Sequence, residues 1–449
     1  MIRNKTRFAL FLFSLLGMPL FSSTGMPLCA QDADQSKSIE LPATDDGLPG
    51  AGPIRRYDWF KNLWNQRRGD WKNSIEKDQK SVVFLGDSIT QGWGNDFKGA
   101  FGEMKVANRG ISGDTTRGML IRLQEDVLSL NPSGIVMLMG TNDLEEGAEP
   151  EVIAANIKLI LTDIQKFNKE LPVILSLVFP STEQKKRPAE KIKKLNQLFV
   201  EFAKEFAQVT VVDTWSLYAD DTGNAKLEEF PDLLHPNQIG YEKWGNAITP
   251  ILQTRGLMEV EEDNFVLEDG YRSLFNGKDL TGWGFHASAK PKGKRANNGR
   301  PVIEKNIAFD GLTQSHDGRY LAKDGRLIVT TPQEGRRVQQ LWTTEEFPNN
   351  FTLKLEFRAT PNADSGVFIR KPQLQCRDYL LAGPYDQLKE YRPQDWNELV
   401  VIVKGNSAHC TCNGEILEAD FKLPETGPIG LEGDRGQLEY RRIRIKSEN

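Results

Sequence analysis

Several short polar stretches of the sequence hold the residue types that acyl transfer by a serine requires. Ser88 follows the apolar run Val82–Leu85 and the pair Gly86-Asp87, and by itself such a serine is more often a helix N-cap. His235 is one of four histidines in the chain, and Asp232 lies three residues before it. A serine nucleophile needs a base, a group that orients the base, and donors for the developing oxyanion. One turn could set the Asp232 carboxylate against the second imidazole nitrogen of His235, which would fix the tautomer of the base.

Two further stretches supply candidate oxyanion donors. Gly113 lies in Asn108–Thr115 and has no Cβ, so its backbone N–H can approach a ligand closely. Asn142 lies in Gly140–Asp143 and presents a side-chain amide. Each stretch alone is an ordinary turn between a strand and a helix. Together with Ser88 they suggest a site only if the fold brings them to one place.

The elements that would position these residues alternate regularly along the first part of the chain. Short apolar runs are separated by segments with apolar residues at three- or four-residue steps, such as Ile153–Phe167 and Ile192–Phe206. This alternation predicts a parallel sheet with helices on both faces, whose carboxyl edge is where ligands bind. The predicted strands are Val82–Leu85, Lys105–Ala107, Gly134–Met139, Pro172–Val178 and Val209–Val212.

Helical periodicity ends after Arg255-Gly256. The stretch Phe351–Phe357 alternates apolar and polar residues, as a half-exposed antiparallel strand does. Leu399–Val403 and Gln437–Ile445 are further strand candidates, and a β-bulge is expected where Arg441-Arg442 interrupts the alternation. The last third of the chain is therefore predicted to be a two-sheet β-sandwich.

The length of the chain and its N-terminal segment predict the number of domains and the location of the protein. A chain of 449 residues predicts two or three domains, and a net charge of -5 gives no reason to expect a nucleic-acid partner. Residues 1–30 combine a basic start, the apolar core Phe8–Phe21 and a cleavage site near Ala30, which predicts a secretory signal peptide and a secreted or periplasmic protein. Cys29 would suggest a lipoprotein, but Leu28 before it favours simple cleavage.

The rest of the sequence indicates whether a membrane anchor, a linker, a disulfide or a cofactor is to be expected. No apolar run after the leader approaches the length of a spanning helix, so no stable membrane anchor is expected. Residues 31–56 are rich in Asp, Pro and Gly and are predicted to be a linker or disordered leader. Cys376 could form a bridge with Cys410 or Cys412, and buried free thiols are an equal alternative. No spacing resembles a zinc site, and no cofactor is expected.

The four polar stretches resemble the four sequence blocks of the SGNH (GDSL-type) hydrolases, in the same order. These blocks are Gly86-Asp-Ser88, Asn108-x-Gly-x-Ser-Gly113, Gly140-Thr-Asn-Asp143 and Asp232-x-x-His235. The run Asn108–Arg117 is similar to the platelet-activating-factor acetylhydrolase branch of that family. The resemblance implies a three-layer, flavodoxin-like α/β domain over residues 57–255.

The same resemblance implies a role for each site residue. Ser88 would be the nucleophile, His235 the general base and Asp232 its partner. The N–H groups of Ser88 and Gly113 and the side chain of Asn142 would form the oxyanion hole. No metal is implied.

The C-terminal part resembles a second family, the concanavalin-A-like 3-keto-disaccharide hydrolases. The segments that carry this resemblance are Leu274–Trp283, Asp324–Val329, Asn362–Arg370 and Asp395–Asn397. It implies a jelly-roll sandwich over residues 272–449, after an acidic linker at 256–271.

Three tryptophans of this region are candidates for sugar binding. Trp283, Trp342 and Trp396 could each stack against a sugar ring, although a place in the sandwich core is favoured for each of them. The basic stretch Lys290–Arg295 is predicted to be a solvated loop.

The two resemblances together predict a secreted serine esterase that removes acetyl or other short acyl groups from carbohydrate or another small ester. The sandwich would then bind or process the same glycan. One alternative is a glycosidase that acts through the sandwich while the esterase assists. Another is a glycan-binding protein with an inert first domain, against which the presence of Ser88, Asp232 and His235 counts.

Overall fold

A five-stranded parallel sheet organises the first domain. The computed structural model of the chain describes residues 39–288, 302–378 and 384–448, so the predicted signal peptide and the basic stretch Lys290–Arg295 lie outside the described residues. The strand order is β2-β1-β3-β4-β5, and all neighbouring pairs are parallel, as predicted for a flavodoxin-like domain. The strands are β1 (Val82–Gly86), β2 (Val106–Gly110), β3 (Gly134–Leu138), β4 (Val173–Ser176) and β5 (Val209–Val212).

Helices cover both faces of this sheet. They are α1 (Asp58–Lys72), α2 (Ile75–Asp78), α3 (Ser88–Gly92), α4 (Thr116–Asp126), α5 (Thr141–Glu145), α6 (Pro150–Phe167), α7 (Ala189–Ala203), α8 (Thr214–Tyr218) and α9 (Gln238–Thr254). Helices α4, α6 and α7 bury mostly aliphatic side chains such as Ile157 and Leu195 on one face. Helices α3 and α9 bury an aromatic cluster on the other face, where the Trp93 and Trp244 rings stack with centroids 4.6 Å apart. The carboxyl edge of the sheet is thereby held between two packed layers.

Residues 40–56 lie against the first domain, although the composition of residues 31–56 predicted a linker or disordered leader. The side chain of Asn156 accepts from Ala51 N at 3.0 Å and donates to Ala51 O at 2.8 Å. Arg117 donates to the carbonyls of Pro49 and Gly52. Because helix side chains satisfy its backbone polar groups, this stretch packs on the surface despite having few apolar residues.

The second domain is an all-β antiparallel sandwich, as predicted. One sheet has the order β17-β16-β15-β12-β19-β10-β9, with β6 paired to β19, and the other has the order β14-β13-β18-β11-β7-β8. The strands are β6 (Arg272–Ser273), β7 (Trp283–Phe285), β8 (Ile307–Ala308), β9 (Tyr320–Lys323), β10 (Arg326–Val329), β11 (Arg336–Glu346), β12 (Phe351–Ala359), β13 (Asp364–Ile369), β14 (Gln373–Arg377), β15 (Asn397–Lys404), β16 (Ser407–Cys412), β17 (Glu415–Lys422), β18 (Pro428–Arg435) and β19 (Leu438–Ser447). The predicted bulge is present in β19, where the register with β12 shifts and Arg442 adopts a φ of +52°.

The three cysteines of the sandwich are buried free thiols, which was one of the two predicted alternatives. Cys376, Cys410 and Cys412 are all buried and unbridged. Burial raises the pKa of each thiol to about 12. They therefore pack as small apolar side chains in the core between the two sheets.

The two domains lie within one compact unit and contact each other through polar groups at the end of α9. Gln437 donates from Nε2 to Pro250 O at 3.1 Å and to Thr254 Oγ1 at 2.9 Å, and Lys323 Nζ donates to Thr254 O at 2.9 Å. The last carbonyls of a helix have no partner within it, so Lys323 satisfies one that α9 leaves free, that of Thr254. Among the described residues, none of the helices combines the length and the apolar character that crossing a membrane requires.

Candidate active site

Strand β1 and the short helix α3 place Ser88 at the carboxyl edge of the sheet. Ser88 is the first residue of α3, and Asp87 caps the helix by accepting from Ile89 N at 2.9 Å. A Cβ at Gly86 would lie 2.7 Å from Leu138 O, so only glycine allows the turn to pack this closely against β3. The helix cap is therefore Asp87 and not Ser88, which begins the helix and keeps its hydroxyl free for the role of nucleophile.

His235 lies between Ser88 and Asp232. Its Nε2 is 3.0 Å from Ser88 Oγ, and its Nδ1 is 2.8 Å from Asp232 Oδ2. An ionised carboxylate can only accept, so Nδ1 carries the proton and Nε2 is left to accept from the serine hydroxyl. The three side chains thus form a continuous hydrogen-bonded chain with the geometry of a serine triad.

The loop that carries this pair is fixed by its own backbone. Asp232 Oδ1 accepts from Leu234 N at 3.0 Å and from His235 N at 2.7 Å. Leu233 adopts a left-handed φ of +63°, and its carbonyl accepts from Ser181 Oγ at 2.8 Å. Burial alone would raise the pKa of Asp232, but the hydrogen bonds from the His235 backbone, the His235 ring and Leu234 outweigh it and lower that pKa to about 2. The carboxylate is therefore ionised at neutral pH.

Gly113 lies in the loop between β2 and α4 and is tied to α3 through Gln91, whose Oε1 accepts from Ser112 N at 2.7 Å. Gly113 has a φ of +86°, and a Cβ there would lie 2.5 Å from Cη2 of Trp59. Within the described part of the chain, neither the N–H of Gly113 nor that of Ser88 has a hydrogen-bond acceptor. Both groups are therefore available to an oxyanion.

Asn142 presents its amide from α5. Its Nδ2 donates to Asp114 O at 2.9 Å, and its Oδ1 accepts from Arg187 Nη2 at 3.2 Å. The amide nitrogen carries two hydrogens, so one donor remains for a ligand. The structure thus brings Gly113 and Asn142 to the same loop region, since Asp114 follows Gly113 directly.

Arg187 is a site residue that the sequence did not reveal. It is buried in the loop before α7 and donates from Nε to Thr141 O at 3.0 Å and from Nη2 to Glu145 at 2.8 Å, besides its bond to Asn142. It lies outside all four motif blocks, and nothing in its local sequence marks it. Only the fold brings it to α5.

Buried acidic side chains hold the site loops together. Asp143 accepts from Thr116 N at 3.0 Å and from Thr116 Oγ1 at 2.6 Å, and Asp114 pairs with Arg122 at 2.8 Å. Burial raises the pKa of Asp114 to about 7 and the pKa values of Asp87 and Asp143 to about 6. These contacts fix the loop that carries Gly113 relative to α4 and α5.

The three candidate tryptophans of the sandwich have different environments. Trp283 is fully buried and its indole donates to Leu274 O at 2.7 Å, so it is a core residue and cannot stack against a ligand. Trp396 is half-buried on the eight-stranded sheet, with the guanidinium of Arg441 4.1 Å from its ring centroid. Trp342 is half-buried on the six-stranded sheet, where the His286 ring stacks on it at 5.7 Å. The structure does not bring the three together.

Across residues 39–288, 302–378 and 384–448, no group of three or more His, Cys, Asp or Glu side chains is arranged to hold a metal ion.

Comparison with known proteins divides the chain into the same two parts. Residues 84–243 match the GDSL-like Lipase/Acylhydrolase family, and residues 270–446 match the 3-keto-alpha-glucoside-1,2-lyase-like domain. The platelet-activating factor acetylhydrolase IB subunit alpha2 of Homo sapiens is 28% identical over 183 residues, which are 40% of this chain and 79% of that protein.

Solved structures of similar proteins cover the first domain. A GDSL-like lipase from Bacteroides thetaiotaomicron is 26% identical with a TM-score of 0.37, covering 42% of this chain and 98% of that one. The lipase/acylhydrolase from Enterococcus faecalis is 25% identical with a TM-score of 0.34, covering 41% and 100%. By its two family matches, the chain joins a GDSL-like lipase/acylhydrolase domain to a 3-keto-disaccharide hydrolase-like domain, and it is a serine hydrolase that acts on ester bonds.

Proposed function

We propose that the protein is a secreted or periplasmic esterase that removes acetyl or other short acyl groups from carbohydrate. Ser88 is the nucleophile, His235 the base and Asp232 its partner. The N–H groups of Ser88 and Gly113 and the Asn142 amide form the oxyanion hole. The observation that carries the triad is that His235 Nε2 lies 3.0 Å from Ser88 Oγ, from which it accepts, while its Nδ1 donates to Asp232 Oδ2 at 2.8 Å.

The reaction takes place in two acyl-transfer steps. Ser88 Oγ attacks the ester carbonyl carbon while its proton moves to His235 Nε2, and the carbonyl oxygen becomes an oxyanion. The C–O bond to the alcohol breaks, the alcohol leaves with the proton from Nε2, and an acyl-enzyme remains. Water then attacks that acyl group with His235 as base, and the carboxylic acid is released with Ser88 restored.

Separate observations support the short acyl group, the carbohydrate as the alcohol part and the export of the protein. The name of a 28% identical relative specifies an acetylhydrolase, which favours a short acyl group. The 3-keto-alpha-glucoside-1,2-lyase-like domain that follows favours a carbohydrate as the alcohol part. The apolar leader with a cleavage site near Ala30 favours export.

The direct test compares full-length wild type and Ser88→Ala for acetate release from an acetylated xylo-oligosaccharide. Ser129→Ala, a change of an exposed serine in the turn that follows α4, is the matched control. We expect acetate release by wild type and control and a loss of at least about a thousandfold in Ser88→Ala, as for other serine triads. Release that survives in Ser88→Ala would overturn the assignment. N-terminal sequencing of the exported protein tests cleavage after Ala30.

A second activity or glycan-binding role of the sandwich is favoured by one surface. Trp342 lies over Gly430 on the outer side of the six-stranded sheet, with the Phe368 ring 4.9 Å away. Glu432 follows two residues after Gly430, on the same side of β18, and accepts from Gln373. Aromatic rings beside a carboxylate and an amide suit a polyhydroxylated ligand.

The two domains can be tested separately in the full-length chain. If the sandwich cleaves a 3-keto-glucoside, sugar release persists in Ser88→Ala and falls in Trp342→Ala. Equal sugar release in wild type and Trp342→Ala, or no release by either, would count against a catalytic or binding role for this surface.

A further inference from the structure

We propose that Tyr57 and Trp59 form a binding platform for a sugar ring, directly beside the loop that carries Gly113. We call this pair the aromatic platform. The inference deepens the proposed function, on which it rests, by naming the side chains that hold the alcohol part of the ester.

The aromatic platform is exposed where other aromatic residues of the same helix are buried. Tyr57, the N-cap of α1, is 53% exposed and Trp59 52%, whereas Phe60, the next residue, and Trp64, one turn on, are buried at 1% and 0%. The Tyr57 and Trp59 rings are stacked, inclined by only 10° with their centroids 6.3 Å apart. Two large exposed rings that share an orientation form a surface patch of the kind that marks a ligand site.

The position of Trp59 places the aromatic platform next to the proposed oxyanion hole. The distance of 2.5 Å between Cη2 of Trp59 and a Cβ built at Gly113 means that the indole edge contacts the Gly113 backbone. Gly113 in turn is tied to α3, which begins at Ser88, through the Gln91–Ser112 hydrogen bond. A group on the platform is therefore adjacent to the proposed oxyanion hole.

The platform is held in place before any ligand binds. The Trp59 ring packs edge-on against Phe60, with centroids 5.7 Å apart. Arg55, two residues before Tyr57, is buried and pairs with Glu145 and Glu146, and the Tyr57 hydroxyl lies 3.4 Å from Glu146 Oε2. Because the backbone and both rings are already fixed, a ligand loses less affinity to the ordering of side chains.

The chemistry of the surroundings favours a sugar over an acyl chain. An acyl chain is best bound in an enclosed apolar groove, but here both side chains are about half exposed and the Tyr57 hydroxyl contacts the carboxylate of Glu146. The C–H face of a pyranose packs on an aromatic ring while its hydroxyls donate to such carboxylates. The geometry thus points to the sugar part of an acylated carbohydrate as the occupant.

The first test measures binding without turnover. In full-length Ser88→Ala, calorimetric titration with an acetylated xylo-oligosaccharide gives a dissociation constant that we expect to rise about tenfold when Trp59→Ala is added. Addition of Trp59→Phe is expected to raise it less, because a flat ring remains. Phe167→Ala, which removes an exposed ring at the end of α6, is the matched control and leaves the constant unchanged. Equal binding with and without Trp59 overturns the platform.

The second test measures selectivity. We expect Trp59→Ala to lower the ratio of kcat/KM for the acetylated xylo-oligosaccharide to that for ethyl acetate by about tenfold. An unchanged ratio contradicts a sugar platform, and a shift only in the preference between acetate and octanoate esters assigns the surface to the acyl chain and overturns the inference. If Ser88→Ala releases acetate as fast as wild type does, the proposed function is wrong. The aromatic platform is still tested in that case, because the binding measurement does not depend on Ser88.

Discussion

The guanidinium of Arg187 donates from Nη2 to Oδ1 of Asn142 at 3.2 Å, and this contact fixes the orientation of the Asn142 amide. With Oδ1 taken by a donor, Nδ2 must face Asp114 O and the loop that carries Gly113. An amide in the opposite orientation would set its oxygen against a developing oxyanion. Arg187 is therefore a positioning residue that acts on the substrate only through Asn142.

The first prediction concerns Arg187→Lys, which keeps the charge but loses the planar fork of donors. We expect kcat to fall about tenfold to a hundredfold with little change in KM, since the oxyanion forms only after substrate has bound. Steady-state kinetics on an acetyl ester measure the split. Arg319→Lys, a buried arginine of the sandwich, controls for general destabilisation. A raised KM with normal kcat would contradict the positioning role.

Removal of the amide itself should have a larger effect. Asn142→Ala is expected to lower kcat by about 10²–10³, the usual cost of losing one oxyanion donor, while the fold remains intact. Kinetics together with a thermal melt check both parts. Near-normal turnover in a folded Asn142→Ala protein would remove Asn142 from the oxyanion hole.

Asp232→Asn tests the orientation of the base. Asparagine can still accept from Leu234 N and His235 N through Oδ1, but its amide nitrogen cannot accept the imidazole N–H. We expect kcat to fall by about 10³–10⁴ because His235 is held in the wrong tautomer.

The matched control for that change is Asp220→Asn, because Asp220 also accepts from backbone N–H groups in an exposed turn but lies away from His235. Kinetics at neutral pH suffice, since the pKa of Asp232 is lowered to about 2 and the carboxylate is ionised there. Full activity in Asp232→Asn would show that the base needs no carboxylate partner.

Asp87 gives a prediction on stability and pH. Burial raises its pKa from 3.8 to about 6, so between these values the folded protein holds a proton that the unfolded chain has lost. The free energy of unfolding therefore decreases as pH rises from about 4 to 6. Above pH 6, Asp87 causes no further change in it. A shift of about two pKa units corresponds to about 3 kcal/mol.

Asp87→Asn should remove that dependence while keeping the acceptor for Ile89 N. We expect the variant to gain more stability over wild type at pH 8 than at pH 4, and denaturant melts at the two values measure the difference. Asp96→Asn, another capping aspartate that is exposed, serves as the control. An equal change at both values would mean that Asp87 does not titrate in this range.

The local sequence was sufficient for much of the fold. The five parallel strands and the bulge in β19 follow from periodicity, since each pattern depends on neighbours along the chain. The segment before α1 was different: its composition is that of a linker, but Asn156 and Arg117, more than sixty residues away, supply its hydrogen-bond partners.

By itself the sequence determined the residue types at the candidate site. Ser88, Gly113 and Asn142 follow the ends of three strands, and strands that run in parallel bring those ends to one edge, whereas the Asp232–His235 pair lies in the loop before α9. Only the tertiary structure decided how they are held and what borders them. Arg187 bonds to Asn142, and Trp59 contacts Gly113, although the two residues of each pair are far apart in the chain. Trp283 is buried in the core of the sandwich. All three arrangements depend on packing that no local pattern encodes.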